Sequence, residues 1–240
     1  MRRPHRPHLL KTNNTPWMAS TALSMNSKTS TTCPICGKRK PRRMCPAKGA
    51  SICSLCCGQE REVSISCPLG CSYLRESRQR EYVSRLDPKE FPFKEIEVDR
   101  QFLEERGDLL NGLAKNTLES AMTVHGASDT DTQQALVALI EGYKTLENGI
   151  HYEPRPDSVF GRAVFDQLRE WIHGLQRRET EQTGFKRTRD RDIMVSLVFL
   201  YRMSLDRDNG KPKGRAFLDF LQQHFHIENE SQSALIVPGR

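Results

Sequence analysis

Residues 33–71 read CPICGKRKPRRMCPAKGASICSLCCGQEREVSISCPLGC, and this stretch holds all eight cysteines of a 240-residue chain. The spacing is Cys33-x2-Cys36, x8, Cys45, x7, Cys53-x2-Cys56-Cys57, x9, Cys67-x3-Cys71. Thiols gathered so tightly imply a cross-link, covalent or metallic, holding a piece too small to bury its own core. Disulfides need an oxidising compartment, and the first residues show no apolar run of signal-peptide length. Zinc needs thiolates at set spacings, and those are present. The reading is therefore zinc.

Cys33-Pro34-Ile35-Cys36-Gly37 has the form of a zinc knuckle. The turn brings two sulfurs to one side, and glycine permits a left-handed backbone just after the second ligand. Eight ligands make two tetrahedral all-thiolate sites. The neighbours Cys56 and Cys57 point opposite ways in extended backbone, so each is expected to serve a different metal. Site one then takes Cys33, Cys36, Cys53 and Cys56; site two takes Cys45, Cys57, Cys67 and Cys71. The alternation along the chain is that of a cross-brace. A one-zinc module with four spare thiols is the alternative count. No histidine lies between Cys33 and Cys71, while His125, His151, His173, His224 and His226 fall in the helical part. A centre closed by four cysteines leaves no position for an activated water, so both are expected to be structural.

The stretch Ile52-Cys-Ser-Leu-Cys-Cys-Gly58, with Arg61, Ile65, Cys67-Pro68 and Cys71-Ser-Tyr73-Leu74, resembles the N-terminal cysteine module of uncharacterised bacterial proteins with a helical C-terminal region. More distantly, its interleaved pairs are similar to B-box and HIT-type zinc fingers, from which it departs in having no histidine ligand. The resemblance implies a zinc module and a cytoplasmic setting, without an assigned activity.

Charge is uneven. Residues 1–59 carry eleven Lys or Arg and no acid, residues 60–90 are neutral, and residues 91–240 carry −4, for a net +7. Lys38, Arg39, Lys40, Arg42 and Arg43 lie between two cysteine ligands, with Lys48 and Arg61 as an extension. Such a loop attracts acidic protein surfaces or phosphate backbones. It also offsets the formal charge of about −2 on each four-thiolate zinc centre. No Phe, Tyr or Trp occurs in 33–71, so base stacking has no support. A protein partner is the first expectation. Nucleic acid held through the basic loop 38–43, by backbone contact, is the alternative.

Outward from the module, residues 1–32 read as a disordered basic tail and residues 228–240 as a polar tail. Only 36% of the chain is hydrophobic and 28% is charged, in keeping with such uncovered ends. Leu74 to Leu86 reads as a short charged helix, and Pro88 and Pro92 mark a linker to about 98. From 99 to 227 the apolar residues return at helical steps in five stretches: Phe102–Leu118, Leu136–Leu146, Phe160–Leu175, Ile193–Tyr201 and Phe217–Phe225. Ser128 and Ser158 are candidate caps, and residues 176–184 read as a polar connector. The expected architecture is a small zinc-stabilised cross-brace module (33–74) with little regular structure, followed by an all-α helical domain.

No phosphate-binding glycine loop occurs, and no run of eighteen apolar residues. His151-Tyr152-Glu153, with Arg155 and Asp157, is the densest polar cluster of the helical part; it reads first as a capping loop with an aromatic anchor and second as a ligand pocket. Catalytic residues are not assigned. The expectation is a cytoplasmic, non-enzymatic interaction or regulatory protein outside the membrane, with an enzyme seated in the helical domain as a further alternative.

Overall fold

The computed structural model describes residues 31–81 and 91–225. Residues 1–30 of the expected tail 1–32, the expected tail 228–240, and the end of the charged helix at 82–86 lie outside the described residues. Among those described, the chain is mainly helical, with one small two-stranded sheet.

The cysteine region carries more regular structure than its composition suggests. β1 (Arg43–Cys45) and β2 (Ala50–Ile52) pair antiparallel, with Arg43 opposite Ile52 and Cys45 opposite Ala50. The connecting turn needs a left-handed residue, supplied by Gly49 at φ +59°. α1 (Ser54–Glu60) starts on Cys53, whose sulfur accepts the Cys56 amide. α2 (Ser72–Glu81) begins two residues earlier than its charge pattern suggests, directly behind Cys71.

The helical part has six helices among the described residues: α3 (Arg100–Glu105), α4 (Gly107–Thr123), α5 (Asp129–Glu147), α6 (Val159–Thr183), α7 (Asp190–Arg207) and α8 (Ala216–Phe225). The first expected stripe is thus two helices, because the backbone leaves helical geometry at Arg106, whose guanidinium pairs with Asp192 at 3.0 Å. Ser128 caps α5 in a reciprocal capping box with Asp131, and Ser158 caps α6. The stretch 176–183 is not a connector but the last two turns of α6. Its Gln, Arg and Glu residues are good helix formers, and a solvent-facing helix needs no apolar stripe. The helix stops where Gly184 turns left-handed at φ +80°.

Helix α5 packs on α6 and α7, and α4 reaches α6, α7 and α8. Leu113, Leu118, Leu136, Ile140, Phe165, Leu168, Ile172, Ile193 and Phe217 are all inaccessible to water. The proline-marked stretch before α3 lies against this core. Ile96 is buried, and Arg202 of α7 donates to the carbonyls of Pro92 (3.2 Å), Phe93 (2.9 Å) and Ile96 (3.0 Å). Its peptide groups find donors on α7, which a free linker would leave to water.

Among the contacts that fasten the module to the helices, one buried carboxylate gathers the most partners. The Glu60 carbonyl accepts the amides of Val63, Ser64 and Ile65, and this tight turn leaves Glu62 at φ +56° with no exposed surface. Glu62 Oε1 accepts from Arg78 (2.5 Å) and the Arg215 amide (2.9 Å), and Oε2 accepts from Asn209 (2.8 Å). Arg78 also pairs with Asp219 of α8 at 2.9 Å. Leu69, just before Cys71, joins the helical core.

Candidate metal centre and its surroundings

Two knuckles face each other. In the first, the Gly37 amide donates to the Cys33 carbonyl (2.7 Å), and the Cys33 amide to the Arg39 carbonyl (2.7 Å). Gly37 sits at φ +63°, as the turn requires. In the second, the Cys56 amide donates to Cys53 Sγ at 3.4 Å. Between them, the Cys53 amide donates to Cys33 Sγ at 3.3 Å, and Cys36 Sγ and Cys53 Sγ lie 4.0 Å apart. All four sulfurs of Cys33, Cys36, Cys53 and Cys56 are within 4.8 Å of one another. A zinc–sulfur bond near 2.3 Å implies a tetrahedral edge of about 3.8 Å, so the quartet is close to ligand geometry.

The electrostatics fit a cation. Backbone amides of Lys38 and Arg39 hold the Cys36 thiol down at about 6. Burial opposes ionisation of Cys33, but the amides of Cys53, Cys36 and Ile35 outweigh it and leave that thiol lowered. Cys56 is pushed up to about 12 by burial, with the sulfurs of Cys53, Cys36 and Cys33 adding to it. Sulfurs this close cannot all be thiolates on their own. A thiophilic dication removes the conflict, and a closed set of four cysteines is the donor set such ions select. The residues present would hold the metal by four thiolates and supply cross-linking rather than chemistry.

The remaining cysteines do not form such a group among the described residues. Cys45, Cys57, Cys67 and Cys71 instead line one small enclosed space with Ile52, Ile65, Arg43, Arg61 and Tyr73. Burial pushes the Cys67 thiol up, and the charges of Glu62, Cys71 and Cys45 push the same way. Arg43 and Arg61 aim at the Cys57 sulfur from 3.6 and 3.9 Å. These guanidiniums would offset negative charge collected on sulfur.

That arrangement corrects the basic surface expected from sequence. Arg61 is buried, and Arg43 is half-buried, turned to Cys57 and laid 4.8 Å over the Tyr73 ring. Lys38, Arg39, Lys40, Arg42 and Lys48 stay exposed. Their loop is ordered by the Cys33–Arg39 bond and by the Arg42 amide donating to the Ile52 carbonyl at 2.9 Å. A second basic set, Lys211, Lys213 and Arg215, is engaged internally: the Lys213 amide donates to the Glu62 carbonyl (2.8 Å), its ammonium to the Ser64 carbonyl (2.9 Å), and Arg215 to the Ala127 carbonyl (2.6 Å).

The polar cluster of the helical part borders a cavity of about 370 Å³, with Leu139, Tyr143, Leu146 and Phe165 among its walls. Glu153 pairs there with Arg169 and, at 3.4 Å, with Arg155; Lys186 pairs with Asp190 at 2.5 Å. Tyr152 is exposed rather than an anchor. His151 and His173 reach the cavity, and no set of three metal-ligating side chains includes a histidine among the described residues. Glu62 and Arg78 carry no motif that sequence alone could flag. The only hint is a Glu-Arg-Glu run beside the cysteines. Comparison with known proteins finds no matching family model, no matching curated protein and no matching solved structure.

Proposed function

We propose that the chain is a zinc-stabilised interaction protein, its cysteine module a structural platform and its helices the frame that carries it. The gathering of Cys33, Cys36, Cys53 and Cys56 within 4.8 Å supports this most directly. In this reading the metal is zinc, and it supplies the folding free energy that so short a segment lacks. Cys45, Cys57, Cys67 and Cys71 take a second zinc, so that ligands alternate along the chain as a cross-brace. The common lining of one small space by these four supports the second centre. Both centres are closed and neither is catalytic. The partner is a protein.

Metal analysis of purified chain tests the reading. About two zinc per chain is expected. About one removes the second centre, and none removes the platform. Cys57→Ser separates the centres, since it should lower the content by one equivalent and leave the first quartet loaded.

A further inference from the structure

We infer that the outer face of the first cysteine quartet is a docking surface for an acidic peptide segment bearing aliphatic side chains. The inference rests on the reading of the module as a metal-held platform, and it names the partner class and the contact residues.

The two knuckles are built alike. Cys33-Pro-Ile35-Cys36 and Cys53-Ser-Leu55-Cys56 each turn their cysteines inward and present an aliphatic residue just before the second cysteine. Ile35 is 38% exposed and Leu55 is 44% exposed, although the module is short of apolar material for its own core. Because the four sulfurs lie together, these two tips flank a single centre. The basic loop leaves from the same place. Lys38, Arg39, Lys40 and Arg42 are exposed, and no acidic residue occurs before Glu60 to neutralise them. The loop returns to the Cys33 amide through the Arg39 carbonyl and joins the hairpin at Arg42. It is held in place before any partner arrives, which lowers the ordering entropy of binding.

The occupant must satisfy both halves of this surface. Carboxylates meet the cations, and aliphatic side chains cover Ile35 and Leu55. A phosphate backbone meets only the first demand. Its bases would need aromatic platforms, and the stretch 33–71 has none. The aliphatic tips therefore favour a protein segment over nucleic acid.

The test uses the full chain and three fluorescein-labelled probes of equal charge: a peptide alternating Glu and Leu, a peptide alternating Glu and Ser, and single-stranded oligothymidylate. Covering two aliphatic tips should make the Glu-Leu peptide bind about tenfold or more tighter than the Glu-Ser peptide. Ile35→Ser with Leu55→Ser should erase that margin. Lys38→Ser with Lys40→Ser should weaken both peptides and flatten their salt dependence. Equal binding of the two peptides overturns the inference, and so does tightest binding of oligothymidylate, which would mark a phosphate-backbone surface. Both substituted pairs are exposed and lie outside the cysteines, so zinc content is expected to be unchanged. Full metal loading with no peptide preference sinks the docking surface and leaves the platform standing. Loss of metal from unsubstituted protein sinks the platform itself.

Discussion

The cysteine module and the helical part solve one problem with different materials. Each must offset the conformational entropy of an ordered chain. The helical part does so with Leu, Ile, Val and Phe drawn mainly from five helices, α4 to α8. The module's apolar cluster has Ile52, Ile65 and Leu74 as its buried aliphatics, and the rest of that cluster's buried residues are cysteines. An aliphatic core is additive and tolerant: one truncation removes a share of the stabilisation. On the proposed zinc reading, the module's core is instead close to all-or-none, because four ligands would share one ion. Glu62, Arg78, Leu69 and the Lys213 bonds to the Glu62 and Ser64 carbonyls make the two regions touch, so the difference can be measured within one molecule.

The largest expected effect is metal removal. Chelation should abolish amide hydrogen-exchange protection across 33–71, since structural zinc is worth about 10–16 kcal/mol in small zinc modules. Protection in α5 and α7 should survive, because their buried residues pack on one another. Loss of protection in all helices together would show that the two regions fold as one, and the comparison would break.

Next comes the fastening between them. Glu62→Ala leaves Asn209 and the Arg215 amide without their acceptor and Arg78 with Asp219 alone, and breaking a buried charge pair in this way costs up to about 3–5 kcal/mol. The melting temperature should fall, with zinc content unchanged. If the loss is instead confined to a few tenths of a kcal/mol, the contact is peripheral and the regions are independent.

Leu136→Ala sharpens the helical side. Leu136 is fully buried, so the cost should be about 2–5 kcal/mol by denaturant unfolding. The module's exchange protection should not move.

A separate test is the pH dependence set by Asp129. This first residue of α5 is 1% exposed, and its carboxylate accepts the Phe217 (3.0 Å) and Leu218 (3.2 Å) amides at the start of α8. Burial pushes it up to about 7 from 3.8, against the pull of those amides. The folded state therefore holds the proton more tightly than the unfolded chain. That contribution is complete below pH 3.8 and is lost as pH rises through about 7. Asp129→Asn should flatten stability across this interval. An unchanged slope would place the titration elsewhere.

The first quartet was legible in advance because its information is local. Two Cys-x-x-Cys turns fix their sulfurs by backbone geometry alone, and Cys56 joins the first quartet while its neighbour Cys57 does not. Ser128 and Ser158 were legible for the same reason, since a cap acts within three residues of itself. The end of α6 was not. Its polar residues look like a connector, and only the Glu179 carboxylate folding back onto the Arg187 and Thr188 amides shows where the chain turns. The basic surface was half legible. Exposed Lys38, Arg39, Lys40 and Arg42 match expectation, but Arg43 and Arg61 look identical in sequence and turn inward to Cys57.

What the chain's own order of residues determined is therefore the gathering of Cys33, Cys36, Cys53 and Cys56 close enough to hold a metal ion, the helical character of the rest and the capped helix starts, each set by spacing over a few positions. What tertiary structure alone decided is which charges face solvent and which are consumed, above all at Glu62, whose partners Arg78, Asn209 and Arg215 come from α2 and the loop before α8. Spacing constrains neighbours along the chain. A buried charge must find its counter-charge wherever packing brings one, and desolvation makes that choice energetically binding only once the fold has closed.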